Sequence, residues 1–238
     1  MPKIAVRKHR VRHFAAVDRF IAEVDKKYGD KIISIIAMGS WGTEEATEEG
    51  DVDLEVVFDS DFFRPELTEE LCSLTKELGL KDKIEVWALS LNDIEKQNLK
   101  FKNYPKNVLL NHLSGTGLTL KGENLLKHLE AKYIPDSEIV ELLEVAERDF
   151  GQGNLAKAVL KSALCLIYER NGNKPLEIKN LLYYRSISEA AQKYLDEKDF
   201  AVVYRALRAK RGLGKLDKAE TNRFLKTVEK KLNTFSAN

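Results

Sequence analysis

The chain has 238 residues, of which 43% are hydrophobic and 32% charged, and its basic and acidic residues balance to a net charge of +1. This composition excludes an intrinsically disordered chain and a generally basic nucleic-acid binder. The length suits one large domain or two modest ones. Cys72 and Cys165 are too few for a disulfide framework or a four-cysteine zinc site.

The near-neutral total hides an uneven distribution of charge. Residues 201–238 contain ten basic and three acidic residues, a local charge of +7, which leaves −6 for the first 200 residues. Such a basic segment is typical of a solvated helix face or of a surface that meets phosphate. The sequence has neither an 18-residue apolar stretch nor the apolar core of a signal peptide, so we expect a cytoplasmic protein with no membrane contact.

The first half of the chain alternates helix and strand patterns. Val11 to Tyr28 repeats its apolar residues at helical spacing and ends at Gly29, and the Ile-rich run after Lys31 is short and β-branched. Later runs alternate in strand fashion or return to helical spacing. The expected strands are residues 32–38, 52–58, 83–89 and about 118–120, and the expected helices are 11–28, 66–78 and one that ends near Tyr133.

From Pro135 onward the β-branched runs disappear and apolar residues recur every three or four positions. We expect helices near residues 136–149, 154–170, 177–195, 198–211 and 217–233. The fold class predicted is therefore α+β, with a mixed sheet and flanking helices in residues 1–134 and an all-α helical bundle in residues 135–238.

The segment from Met38 to Leu54 contains the most informative pattern in the sequence. A buried strand opens into Gly39-Ser40, and the next strand begins with Asp51 and Asp53. A spacing of two in a strand puts these two carboxylates on the same face. A third acid, Glu85, has the right parity on the following strand to join them.

These residue types suit a metal-nucleotide site. Adjacent carboxylates repel one another unless a cation lies between them, and Mg²⁺ prefers oxygen ligands. Glycine at position 39 lets a ligand approach the backbone, and Ser40 offers a hydroxyl and an N–H where we expect a helix to start. Two Mg²⁺ ions would offset the three carboxylates and part of a triphosphate.

A plainer interpretation is available for each residue. Asp51 and Asp53 can be a solvated strand start, and Gly39-Ser40 a tight turn. Each feature alone is more often structural than functional, but their joint occurrence favours a site.

The same residues resemble a known family. Gly39-Ser40, a separation of twelve residues to Asp51, and the Asp-x-Asp pattern before a hydrophobic strand resemble the DNA polymerase β type nucleotidyltransferase superfamily. Its kanamycin nucleotidyltransferase and minimal nucleotidyltransferase branches are the most similar. Residues 27–30 (KYGD) at the end of a helix, residues 39–42 (GSWG) and residues 83–86 (KIEV) carry that likeness.

The resemblance implies an enzyme that transfers a nucleoside monophosphate from an NTP, ATP by preference, to a hydroxyl of a small molecule and releases pyrophosphate. It implies that Gly39 and Ser40 bind the nucleotide, that Asp51 and Asp53 bind both nucleotide and metal, and that Glu85 completes the Mg²⁺ site. It also implies a catalytic glutamate on the first helix of the C-terminal half, for which we favour Glu144 or Glu147. A homodimer fits the resemblance as well.

The sequence departs from the family after Gly42. Thr43 and Glu44 stand where a basic residue often helps to bind phosphate. We expect Lys83, Lys31 or a basic residue of the C-terminal half to substitute for it.

Two alternative functions remain open at this point. The +7 segment is compatible with nucleotidyl transfer to a protein or RNA, although a nucleic-acid partner is not favoured. The missing basic residue is compatible with a catalytically idle nucleotide-binding or antitoxin-like module.

Overall fold

The computed structural model describes residues 3–43, 45, 51–99, 104–177 and 183–235, and the side chains of residues 15–234 within these ranges. The chain divides into two compact units, one formed by residues 1–99, 112–130 and 180–183 and the other by residues 100–111, 131–179 and 184–238. The strands are β1 (Ile32–Met38), β2 (Val52–Phe58), β3 (Ile84–Ser90) and β4 (Leu118–Gly122). The α-helices are α1 (Lys3–Tyr28), α2 (Leu67–Glu77), α3 (Leu91–Glu95), α4 (Lys106–Thr116), α5 (Asp136–Gly151), α6 (Leu155–Arg170), α7 (Tyr183–Tyr194), α8 (Glu197–Lys210) and α9 (Lys218–Phe235).

The first unit contains a mixed four-stranded sheet in the order β3-β2-β1-β4. Strand β1 is antiparallel to both β2 and β4, whereas β2 and β3 run parallel. The parallel pair places Asp53 beside Glu85 and Glu55 beside Trp87. Because β2 and β3 are parallel and start at the same edge of the sheet, Asp53 and Glu85, the second residue of each strand, lie side by side.

One face of this sheet packs against α1 and α2 and forms the hydrophobic core. Residues of β2 with even numbers point into it, since Val52, Leu54 and Val56 are fully buried there. Phe20 of α1 and Leu71 of α2 are equally buried in the same cluster. Burying such a side chain stabilises the fold by about 1.5–3 kcal/mol, so the alternation of β2 fixes its register.

The odd-numbered residues of β2 face the other side of the sheet. There the cross-strand neighbours form two successive rows. The first row runs from Met38 through Asp53 to Glu85, and the second consists of Ile36, Glu55 and Trp87. Residues two apart on a strand are about 7 Å apart along it, so the second row lies directly behind the first.

The second unit is helical, with α6 at its centre. Residues Ala158 to Tyr168 of α6 are all buried, and α6 packs against α5, α8 and α9. Within this interior the Lys161 ammonium lies 2.8 Å from the Asp149 carboxylate and 4.6 Å from the Tyr104 ring centroid. Burial lowers the pKa of Lys161, and the Asp149 carboxylate opposes that shift. Of the described helices, none has the length and hydropathy that a bilayer crossing requires.

The structure confirms the predicted fold class and corrects several elements. The expected helix ending near Tyr133 is wrong, because only a short 3-10 turn (Leu125–His128) follows β4. The expected helix at 177–195 is described only from Tyr183, since Glu177 lies outside any helix and residues 178–182 lie outside the described residues. Helices α3 and α4 were not predicted.

Candidate active site

Three carboxylates converge at the edge of the sheet where β2 and β3 begin. Asp51, Asp53 and Glu85 each place one oxygen within 4.8 Å of the others'. Asp51 is exposed and the other two are half-buried. Their mutual repulsion makes a divalent cation the natural partner, and an oxygen-only set on two adjacent strands suits Mg²⁺. These residues therefore fit the metal that the sequence predicts.

The turn after β1 lies directly against this cluster. Gly39 has a left-handed φ of +65°, and a Cβ built on it would stand only 2.6 Å from Oδ2 of Asp53. Only glycine satisfies both the backbone conformation and the contact. The predicted proximity of the Gly-Ser turn to the aspartates is thus a feature of the structure.

Ser40 is half-buried and begins no helix. The expectation of a helix start at this residue is wrong, because residues 39–43 form consecutive turns. The Thr43 hydroxyl donates a hydrogen bond to the Ser40 carbonyl oxygen at 3.1 Å, which holds the turn closed. Any anion held here would meet backbone and hydroxyl donors of a turn rather than a helix N-terminus.

Thr116, the last residue of α4, contacts the turn through its backbone and its hydroxyl group. The Gly39 N–H donates to Thr116 Oγ1 at 3.4 Å, and that hydroxyl donates to the His112 carbonyl oxygen at 2.8 Å. A Cβ on Gly42 would stand 1.6 Å from the Thr116 carbonyl oxygen. No local pattern predicts this support, since Thr116 is more than seventy residues from the turn that it contacts.

Glu55 is a fourth acid on the same face of β2 and it is buried. Its side chain is 1% exposed, and neither carboxyl oxygen has a hydrogen-bond partner among the residues that the structure describes. Burial, with smaller contributions from the Asp53 and Glu85 carboxylates, raises the pKa of Glu55 well above its usual range. An unpartnered buried carboxyl group costs stability. Its strand parity with Asp53 was the signal in the sequence that could have brought it into the candidate site.

The two tryptophans near the site differ in exposure. Trp41 lies within the turn but is only 4% exposed and packs in the hydrophobic core. Trp87 is half-buried on β3, two residues after Glu85 and on the same face. Of the two, Trp87 alone is partly exposed, and it lies on the face of the acids.

The two lysines that could replace the missing basic residue differ in their position relative to the turn. Lys83 is exposed and immediately precedes β3, and its carbonyl oxygen accepts a hydrogen bond from the Val52 N–H at 2.9 Å. Lys31 precedes β1, at the end opposite Met38, where it pairs with Asp30 at 3.3 Å. A seven-residue strand spans about 20 Å, so Lys31 is too far from the turn to bind a phosphate there.

The predicted catalytic glutamates Glu144 and Glu147 lie on α5, in the helical unit. Both are exposed. The role of either as a general base stays a prediction, as do the nucleotide-binding roles of Gly39 and Ser40.

Comparison with known proteins agrees with this geometry. Residues 17–113, which include the turn and all three converging acids, match the family model described as a nucleotidyltransferase domain. No curated protein matches the sequence significantly.

Among solved structures, the chain is similar to spectinomycin adenyltransferase AAD(9) from Enterococcus faecialis, determined with ATP and spectinomycin. The TM-score is 0.59 at 16% sequence identity, and the match covers 90% of this chain and 97% of that one. At this identity the likeness shows the fold.

Residues 17–113 thus match a nucleotidyltransferase domain. The domain match confirms the resemblance inferred from the sequence motifs and the prediction of a nucleotidyltransferase enzyme.

Proposed function

We propose that this enzyme transfers a nucleoside monophosphate from ATP to a hydroxyl group of a small molecule in a Mg²⁺-dependent reaction. The observation that carries the proposal is the convergence of Asp51, Asp53 and Glu85 within 4.8 Å, directly beside the turn at Gly39. Carboxylates that hold a divalent ion next to a glycine turn suit a triphosphate. The negative phosphate oxygens can contact the ion and accept hydrogen bonds from the turn.

The reaction follows the chemistry of phosphoryl transfer. The acceptor oxygen forms a bond to the α-phosphorus, the bond from that phosphorus to the bridging oxygen breaks, and pyrophosphate leaves. A bound Mg²⁺ would neutralise the developing charge on the phosphate oxygens. Asp51, Asp53 and Glu85 would hold the ion, and the N–H groups and hydroxyl of the turn would orient the triphosphate.

The acceptor hydroxyl must lose a proton as it attacks. We propose Glu144 or Glu147 as the residue that accepts it, as the resemblance implies. Glu141 is exposed on the same helix and serves as the matched control. Substitution of the general base by glutamine should lower kcat by about 10²–10⁴-fold, whereas Glu141→Gln should leave it unchanged.

Lys83 is the residue that we propose in place of the missing basic residue. Its parity places it on the same side of β3 as Glu85, and it adjoins the start of β2 where Asp51 lies. Lys83→Met should raise the KM for ATP about tenfold, because one charge contact to a phosphate is lost. Lys31→Met, at the far end of β1, is the control and should leave KM unchanged; equal effects of the two substitutions would contradict the assignment.

A small hydroxylated acceptor is favoured over a macromolecule by the structural comparison. The protein with the similar fold was determined with ATP and spectinomycin, and the match extends over nearly the whole of both chains. A homodimer remains part of the proposal, and light scattering at micromolar concentration tests it; a monomer would refute it.

The experiment that tests the proposed function is pyrophosphate release from ATP in the presence of a panel of hydroxylated small molecules. We expect release that depends on both Mg²⁺ and an acceptor, and that is lost in Asp53→Asn. Release with no acceptor requirement, or only with protein or RNA present, would contradict the small-molecule assignment.

A further inference from the structure

The buried acid Glu55 has no role in the reaction as described above. It lies one row behind the carboxylate cluster, between Ile36 of β1 and Trp87 of β3. Ile36 is fully buried, so Glu55 has an apolar neighbour on one side and an aromatic one on the other. Both of its carboxyl oxygens are shielded from solvent, and neither has a hydrogen-bond partner in the described part of the chain.

A buried polar group without a partner is rare in folded proteins and calls for an explanation. Leucine or methionine would fill the same space in this apolar row without the cost of desolvating a carboxyl group. No hydrogen bond among the described residues accounts for a carboxyl group at this position. The explanation must come from something that the carboxyl group binds when the site is in use.

The position of Glu55 indicates what that is. Asp53 precedes it by two residues on the same face of β2, about 7 Å along the strand, so the long glutamate side chain can extend toward the cluster. Glu55 does not belong to the group of acids whose oxygens lie within 4.8 Å of one another. It is thus behind the three ligands rather than among them.

We propose that Glu55 is a positioning residue of the metal site, which accepts a hydrogen bond from a water molecule that hydrates the divalent ion held by Asp51, Asp53 and Glu85. Mg²⁺ gives up its water reluctantly and keeps several molecules in protein sites. Both Glu55 carboxyl oxygens are shielded from solvent, so this water would arrive with the ion rather than fill an existing cavity. The inference rests on the metal site of the proposed function.

The test compares Glu55→Gln with Glu55→Met. Glutamine keeps a carbonyl oxygen that can accept the hydrogen bond, whereas methionine has a similar length and no such acceptor. The exposed Glu77 on α2 provides the control Glu77→Gln. Binding of Mn²⁺ alone, which prefers the same ligands, is measured by calorimetry and by loss of the free-ion EPR signal, and the melting temperature of each metal-free variant is recorded.

We expect Glu55→Met to weaken Mn²⁺ binding by about 10–100-fold, the usual effect of losing a group that orients a metal's ligands. Glu55→Gln should stay within about threefold of wild type, and Glu77→Gln should equal it. The metal-free Glu55→Met protein should melt at or above the wild-type temperature, since an unpartnered carboxyl group has been removed.

Three results would overturn the inference. Wild-type affinity in Glu55→Met would show that Glu55 does not act on the metal. An equal loss in Glu55→Gln and Glu55→Met would show that hydrogen-bond acceptance is not its contribution. Absence of Mn²⁺ binding in the wild type would remove the metal site of the proposed function and the inference with it, so the two failures are distinguished by the wild-type measurement.

Discussion

Gly39 and Asp53 lie so close that a Cβ on residue 39 would stand 2.6 Å from the carboxylate oxygen Oδ2 of Asp53. This contact joins the turn that we assign to the triphosphate with the acids that we assign to the metal. The two parts of the site therefore cannot move independently, and a change in one must disturb the other.

Gly39→Ala should lose both stability and nucleotide binding. The alanine has to adopt a φ of +65° at a cost of about 1–2 kcal/mol, and its methyl group must displace the Asp53 carboxylate. We expect ATP affinity in the presence of Mg²⁺ to fall at least tenfold by calorimetry. Gly79→Ala is the matched control, because Gly79 has a φ of +67° and open space around it. Gly79→Ala should lose similar stability but keep its nucleotide affinity. Equal ATP affinities in Gly39→Ala and Gly79→Ala would show that the contact between Gly39 and Asp53 does not matter for nucleotide binding.

Gly42→Ala should be among the most destabilising single substitutions in the turn. Its methyl group would stand 1.6 Å from the Thr116 carbonyl oxygen, a backbone atom that cannot rotate away. We expect the free energy of unfolding to fall by about 3 kcal/mol, measured by urea denaturation. Gly151→Ala, at the end of α5 with no atom nearby, should change it little. Wild-type stability in Gly42→Ala would show that α4 does not support the turn.

His112 should make the stability of the fold depend on pH. Burial lowers the pKa of His112 to about 4, so the folded protein binds this proton less readily than the unfolded chain does. The contribution of His112 to the free energy of unfolding is therefore fully present above about pH 6.5. It is lost as the pH falls toward 4, which lowers the free energy of unfolding by up to about 3 kcal/mol. Urea denaturation across this range measures the slope.

His112→Gln removes the titrating group and should flatten that slope. The exposed His128 provides the control, since His128→Gln should retain the wild-type slope. An unchanged slope in His112→Gln would assign the pH dependence to other groups. Some loss of stability at neutral pH is expected from His112→Gln, because the imidazole packs edge-on against the Tyr183 ring at 4.5 Å.

Much of the site could be predicted because strand alternation is a local property. The spacing of Asp51 and Asp53 fixes their common face, and the parity of Glu85 brings it to the same edge once β2 and β3 pair in parallel. These predictions required only the period of two and the order of the strands.

The remainder depends on long-range packing that no local pattern contains. The alternation of β2 predicts that Glu55 lies on the same face as Asp53. It does not predict that Glu55 is buried there. The support of the turn by Thr116 requires α4, whose last residue lies more than seventy positions from Gly39 in the sequence. Trp41 belongs to the turn in sequence but lies in the hydrophobic core.

The central claim is that Asp51 and Asp53 hold a divalent ion that nucleotide binding requires. Calorimetric titration of ATP with and without Mg²⁺ tests it most directly, using the wild type, Asp51→Asn/Asp53→Asn, and the matched double variant of exposed residues Asp18→Asn/Asp30→Asn. We expect Mg²⁺-dependent binding in the wild type and the matched control, and at least a tenfold loss in Asp51→Asn/Asp53→Asn. Equal affinity in all three proteins, or binding indifferent to Mg²⁺, would contradict it.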